Sequence, residues 1–209
     1  MPVEIELKFP VASPAALATQ LAGLGCTLVT PRTFESNLLL DTPDRAILNA
    51  RQLLRLRRYG NTWTLTHKLQ PADSHPDDAR YKRRIETETT VADGPAILRI
   101  FASLGYAPVF RYEKFRTEFA APPDPAAPHA HIVLDETPIG AFAELEGPPE
   151  WIDSMLARLG VPHSACTTES YGKLFLAWKA RTNSPAEHLT FDVEPTCGRE
   201  RSVSPQAKS

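Results

Sequence analysis

The chain has 209 residues, 42% of them apolar and 23% charged, which suits one ordinary domain with a core of its own. A formal net charge of -2 excludes a general nucleic-acid binder, which carries a basic excess, and no apolar run reaches the length of a membrane span. The cysteines Cys26, Cys166 and Cys197 are odd in number and too widely spaced for a disulfide framework or a zinc site, and Glu4 and Glu6 do not fit a secretory signal, so the chain reads as cytoplasmic.

The opening stretch VEIELKFP alternates Val3, Ile5, Leu7 and Phe9 with Glu4, Glu6 and Lys8, the pattern of a strand with one apolar and one charged face. Next comes a helix that Ser13 caps, with Pro14 in its first turn and Gly23 or Gly25 at its end. Residues 26–40 read as one or two strands, and 41–50 as a turn and a short helix. A hairpin about Gly60 and Asn61 follows. Its first strand sets Arg55 and Arg57 opposite Leu54 and Leu56, and its second puts Lys68 on one face with Thr64 and Thr66. A polar loop over 71–79 leads into a strand with Arg84, Glu86 and Glu88 on one face. Asp93 begins another helix, and the strand after it carries Lys114 and Arg116 two apart, with Phe115 opposite. Beyond the Pro-rich loop 121–129, Asp135 shares a strand face with Val133, and Glu144 pairs with Glu146 after a turn near 138–140. Two helices, PPEWIDSMLARLG and ESYGKLFLAWKAR, end a domain of residues 1–181. Residues 182–209 turn polar and lose periodicity, the signature of a poorly ordered tail.

On any single strand a polar face is the ordinary solvent face of an antiparallel sheet. Here the charges recur as same-face pairs, acidic on some strands and basic on others. Glu4, Glu6, Glu86, Glu88, Asp135, Glu144 and Glu146 share that face with Lys8, Arg55, Arg57, Lys68, Lys114 and Arg116. The amphipathic helices need the apolar face to cover, so a sheet curling closed turns its charges inward. An antiparallel barrel of eight strands encloses room for one small ligand. Burying so many charges costs several kcal/mol each unless they are paired or bind something. Guanidinium forks match phosphate oxygens, and six cations exceed the needs of one phosphate. Clustered carboxylates suit a hard divalent cation between themselves and such a ligand. The pattern therefore points to a metal–polyphosphate complex and to attack on a terminal phosphorus.

Glu4-x-Glu6-x-Lys8, the paired RLR at 55–57, Lys68, IETE, KFR, LDETPIGAFAELEG and SYGKLF occur in an order that resembles the CYTH domain, or triphosphate tunnel metalloenzyme superfamily. The resemblance covers Val3 to about Arg181. It implies an α+β fold: an eight-stranded antiparallel tunnel with a charged interior and helices packed outside. It implies Mg²⁺ or Mn²⁺ as cofactor, with Glu144 and Glu146 as principal metal ligands and Glu4, Glu6, Glu88 and Asp135 in support. Lys8, Arg55, Arg57, Lys68, Lys114 and Arg116 become the triphosphate cradle, and Glu6, Lys8, Lys114 and Glu146 the catalytic set. Glu86 matches a family position of less defined role. After Lys68 the chain departs from many relatives, placing Leu69-Gln70 where they place Gly.

The family includes inorganic triphosphatases, thiamine-triphosphatases and class IV adenylate cyclases, which share these residues. Hydrolysis of a small inorganic triphosphate is the leading expectation. The alternatives are conversion of ATP to cyclic AMP, thiamine-triphosphate hydrolysis, and a module that binds polyphosphate without turnover. Tyr59 and Tyr112 have inward parity, whereas Trp63, Trp151 and Trp178 read as core, so no aromatic clamp for an organic group stands out. His129 and His131 read as surface or structural, and His67 as a satisfied histidine on the apolar face. Tyr171 and Lys173 lie on a helix placed to close one tunnel mouth. The chain has neither a P-loop nor a nucleophile elbow.

Overall fold

The computed structural model describes residues 3–71 and 80–191. Its strands are β1 (Val3–Val11), β2 (Thr27–Asp41), β3 (Leu53–Tyr59), β4 (Thr62–Leu69), β5 (Lys82–Val91), β6 (Ala107–Ala120), β7 (His131–Thr137) and β8 (Gly140–Glu146). They close into one antiparallel barrel in the order β1-β5-β4-β3-β2-β6-β7-β8. Five helices pack around it: α1 (Pro14–Gly23), α2 (Ala46–Asn49), α3 (Gly94–Ser103), α4 (Pro149–Leu159) and α5 (Tyr171–Thr182). Among the described residues, no helix is long and apolar enough to cross a membrane.

The helix ends follow from their sequence signals. Ser13 accepts from the Ala16 N–H at 3.2 Å and Asp93 from the Ala96 N–H at 2.8 Å, each with proline in the first turn behind it. Asp41 caps α2 from a distance, accepting from Ile47 N at 2.9 Å and Leu48 N at 3.1 Å. Gly60 takes a φ of 56° at the β3–β4 turn, a left-handed conformation that favours glycine.

Strand alternation determines what each face buries. The outward residues Leu7 and Phe9 of β1, Ile132 and Leu134 of β7, and Ala143 and Leu145 of β8 meet Leu17 and Leu21 of α1. Ile152, Met155, Leu156 and Leu159 of α4 complete this core, with Cys26 within it. Full burial of each large side chain contributes about 1.5–3 kcal/mol, which commits these strands to turning the opposite face inward. Trp63 packs outward against Gly94 at the start of α3. A second cluster joins Tyr171 and Phe175 of α5 to Tyr112 and Leu189, with Phe110 and Phe142 packed alongside. Because Phe110, Tyr112 and Phe142 share the register of the inward charges, α5 covers one end of the barrel interior.

The expected one or two strands over 26–40 are one long strand, Thr27–Asp41, with shifts in its pairing to β6 around Leu28–Thr33, where Pro31 lacks an N–H to pair. The chain does not leave the domain at 181. Leu189 N donates to Arg111 O at 3.0 Å and Glu113 N to Leu189 O at 2.8 Å, pairing this segment with β6. Leu189 is 1% exposed, with Ala186 packed on the same cluster and Phe191 against Phe115, in a stretch too short to show periodicity. Residues 192–209 of the expected tail, including Cys197, lie outside the described residues, as does the expected loop 71–79 apart from Pro71.

Candidate active site in the barrel interior

The register places the expected charges on one inner surface. Glu4 lies opposite Arg84, Glu6 opposite both Lys82 and Glu146, and Lys8 opposite Glu144. Arg55 and Arg57 face Thr66 and Thr64, Thr66 and Lys68 face Glu88 and Glu86, and Arg116 faces Asp135. The walls meet as a ladder of ion pairs. Lys8 Nζ stands 2.9 Å from Glu144, and Arg116 Nη2 reaches Glu144 at 2.8 Å. Arg116 also donates to both oxygens of Asp135, at 2.7 and 2.6 Å, and Lys114 Nζ donates to Asp135 at 2.8 Å. Lys68 pairs with Glu4 at 3.0 Å and with Glu86, Lys82 pairs with Glu6, and Arg57 pairs with Glu88 at 3.2 Å. Lys8, Arg55, Lys114 and Arg116 are all buried, so their charges are strongly felt inside the barrel.

The expected metal residues divide. One oxygen from each of Glu4, Glu6 and Glu146 lies within 4.8 Å of the others. Glu144 is engaged by Lys8 and Arg116, Asp135 by Lys114 and Arg116, and Glu88 by Arg57 and by the Thr66 hydroxyl at 2.7 Å. All six are thus ion-paired, and three of them, Glu4, Glu6 and Glu146, also converge on one another. The converged set fits a hard divalent cation: all donors are carboxylate oxygens, drawn from two adjacent strands. Burial, and then the charge of Glu4, push the Glu146 carboxyl up despite the hydrogen bond from His131, and a cation bound there would favour the charged form. Burial also works to raise Glu144, yet Lys8 and Arg116 hold it well below the usual range.

Several site residues have weaker sequence signals. Glu35 and Asn37 of β2 are fully buried on the inner face, an i, i+2 pair like the others but hidden in a run ending in three leucines. Lys82 shares the parity of Arg84, Glu86 and Glu88 and bonds Glu6. His131 is no mere surface residue: it lies opposite Glu146, its Nε2 is 3.1 Å from Oε2, and that hydrogen bond lifts the imidazole to about 9. Tyr171 reaches in from α5, donating to Asp135 at 2.7 Å with its ring 4.0 Å from Lys8 Nζ. Burial and then Asp135 drive its phenol well above the ordinary value. Lys173 instead pairs with Glu169 on the helix exterior. His67 is satisfied by Gln52 at 3.0 Å.

A CYTH domain profile matches residues 2–152. No curated protein sequence matches the chain. Among solved structures, a proposed adenylate cyclase from Vibrio parahaemolyticus is 19% identical with a TM-score of 0.70, over 83% of this chain and 97% of that one. The PH1819 protein from Pyrococcus horikoshii is 21% identical with a TM-score of 0.66, over 84% and 99%. A proposed adenylyl cyclase from Hippeastrum, with a dominant triphosphatase activity, is 20% identical with a TM-score of 0.57, over 85% and 96%. At these identities the structural likeness speaks for the fold alone. The profile covers most of the chain and agrees with the closed barrel and its inward charges: this protein belongs to the CYTH domain family.

Proposed function

We propose that the protein is a divalent-metal-dependent phosphohydrolase of the cytoplasm that acts on a small triphosphate, inorganic tripolyphosphate first. The observation that carries this reading is the buried row Lys8, Arg55, Lys114 and Arg116 beside the converged carboxylates Glu4, Glu6 and Glu146. A pure anion receptor gains nothing from those three acids. A metal site alone does not need four buried cations.

Glu4, Glu6 and Glu146 would hold Mg²⁺ or Mn²⁺. Bound there, the cation supplies charge neutralisation and Lewis-acid polarisation at a phosphoryl oxygen. Lys114, Arg116, Arg55 and Arg57 grip the phosphate oxygens, and Lys8 with Arg116 absorbs charge that develops in transfer. Glu6 orients the attacking water, and the products are orthophosphate and pyrophosphate. Asp135 positions Lys114 and Arg116, and Tyr171 fixes Asp135 by its hydroxyl. The covered end of the barrel keeps bulk water from the reacting phosphate.

The preference for an inorganic substrate rests on the aromatic residues. Tyr112 and Tyr171 are buried and stand 6.0 Å apart, centroid to centroid, in contact with Phe110 and Phe142. Their hydroxyls meet Arg55 at 3.4 Å and Asp135 at 2.7 Å. Neither ring offers a free face to a nucleobase or a thiazolium.

The test is phosphate and nucleotide analysis after incubation with tripolyphosphate, thiamine triphosphate or ATP, each with Mg²⁺, Mn²⁺ or chelator. Metal-dependent phosphate release, fastest from tripolyphosphate, is the expected result. Cyclic AMP and pyrophosphate from ATP would overturn the reaction assigned.

A further inference from the structure

The cradle is more heavily countered than binding of an anion requires. Lys114 and Arg116 are held from the β7 side by Asp135. From the β2 side they meet a second buried carboxylate, Glu35, with Oε1 3.4 Å from Lys114 Nζ and Oε2 4.0 Å from Arg116 Nε. Glu35 is 0% exposed, as is Asn37, whose Nδ2 donates to Glu35 Oε1 at 2.9 Å. Glu35 Oε2 and Asn37 Oδ1 have no hydrogen-bond partner among the described residues. A buried carboxylate is expensive to desolvate. Here the compensation comes from the cations of the cradle, Lys114 and Arg116 above all, and the second oxygen makes no hydrogen bond of its own. Its position, directly across the strand pair from Lys114 and one strand from Arg57, lets its negative charge act on an anion held by those cations.

We propose that Glu35 is a positioning and affinity-setting residue. It steers Lys114 from behind and subtracts charge from the cradle, so that a phosphate chain is held firmly enough to react while the pyrophosphate product is released. The inference rests on the triphosphate reading of this interior. It deepens that reading by naming a residue that weakens binding. The group is charged at neutral pH: burial works to raise the Glu35 carboxyl, but Lys114, Arg116, Arg55 and Arg57 hold it down at about 2. Asn37 fixes the carboxylate from its other side and adds no charge.

The experiment is calorimetric titration of tripolyphosphate with chelator present, so that it is not turned over, and of pyrophosphate in Mg²⁺ buffer, at one ionic strength, into the wild-type chain, Glu35→Gln, Glu35→Asp and Asn37→Asp. Steady-state kinetics follow on the same proteins. Glu35→Gln is expected to bind both anions about tenfold more tightly, the effect of removing one nearby charge from a partly dry site. Its KM for tripolyphosphate falls and inhibition by pyrophosphate strengthens. Glu35→Asp keeps the charge and stays near the wild type, whereas Asn37→Asp adds one and binds about tenfold more weakly. A carboxylate that merely braces the barrel predicts the opposite for Glu35→Gln, a loosened cradle with a higher KM. Weaker or unchanged anion binding by Glu35→Gln, with the wild type binding normally, overturns the inference and leaves the triphosphate reading standing. Absence of tripolyphosphate binding by the wild type overturns that reading and the inference with it. If Glu35→Gln fails to fold, Asn37→Asp decides: weakened binding supports the role, and unchanged or tighter binding refutes it.

Discussion

Glu146 lies beside Glu4 and Glu6 and is hydrogen-bonded to His131, and in the proposed reaction it would be needed for chemistry more than for folding. Burial and Glu4 press it toward the neutral form, and a cation held with Glu4 and Glu6, as proposed, would favour its charged form. Glu146→Ala should lower phosphate release from tripolyphosphate by at least about a hundredfold, as loss of a preorganised charge does. Its melting temperature should stay within a few degrees of the wild type, and retained metal-dependent turnover would remove Glu146 from the site. Glu35 presents the reverse case. Its carboxyl is held at about 2 against an ordinary value of 4.5. A carboxyl lowered by folding contributes stability that is complete above its unfolded value and lost as pH falls through its folded one. Between pH 5 and pH 2 the wild type should therefore lose on the order of 3 kcal/mol more than Glu35→Gln does. Urea midpoints of the two proteins across that range measure the difference, and parallel loss would mean Glu35 is not the group responsible.

At the scale of elements, strand alternation was the informative signal. Val3 to Phe9, Leu54 to Arg57 and Ala143 to Glu146 announce both a strand and the chemistry of its two faces, and the barrel places each face where parity puts it. β2 hid its contribution because Leu38, Leu39 and Leu40 break the alternation, so Glu35 and Asn37 gave no paired signal. His131 was obscured by its place at a loop-to-strand junction, where parity is ambiguous until the register is known. The segment after α5 is illegible for a different reason: backbone bonds at Leu189 and a few apolar contacts, Leu189 and Phe191 among them, attach it to β6 over a stretch too short for a periodic pattern. Helix packing gives the sharpest test at this scale. A Cβ added to Gly94 would lie 2.2 Å from Trp63 Cδ2, inside a ring that cannot flex away. Gly94→Ala should cost about 1–3 kcal/mol and shift the Trp63 fluorescence. An unchanged unfolding midpoint would mean that α3 does not rest on Trp63.

For the whole molecule, the account turns on direction: the barrel wears its apolar face outside, under α1, α3 and α4, and its charges inside. That inversion makes the interior polar, and its ion pairs compensate the buried charges without ligand. In the proposed reaction a cation and a phosphate chain would enter together and re-partner those acids and bases. The ladder also explains why composition alone is silent, since a net charge of -2 conceals cations and carboxylates gathered on one surface. The most direct measurement is a crystal structure of the protein grown with Mn²⁺ and tripolyphosphate, read by the anomalous signal of manganese. The account predicts an anomalous peak among Glu4, Glu6 and Glu146, with phosphate density against Lys8, Arg55, Lys114 and Arg116. Manganese bound elsewhere, or phosphate held only on the outer surface while the interior ion pairs stay closed, would contradict it.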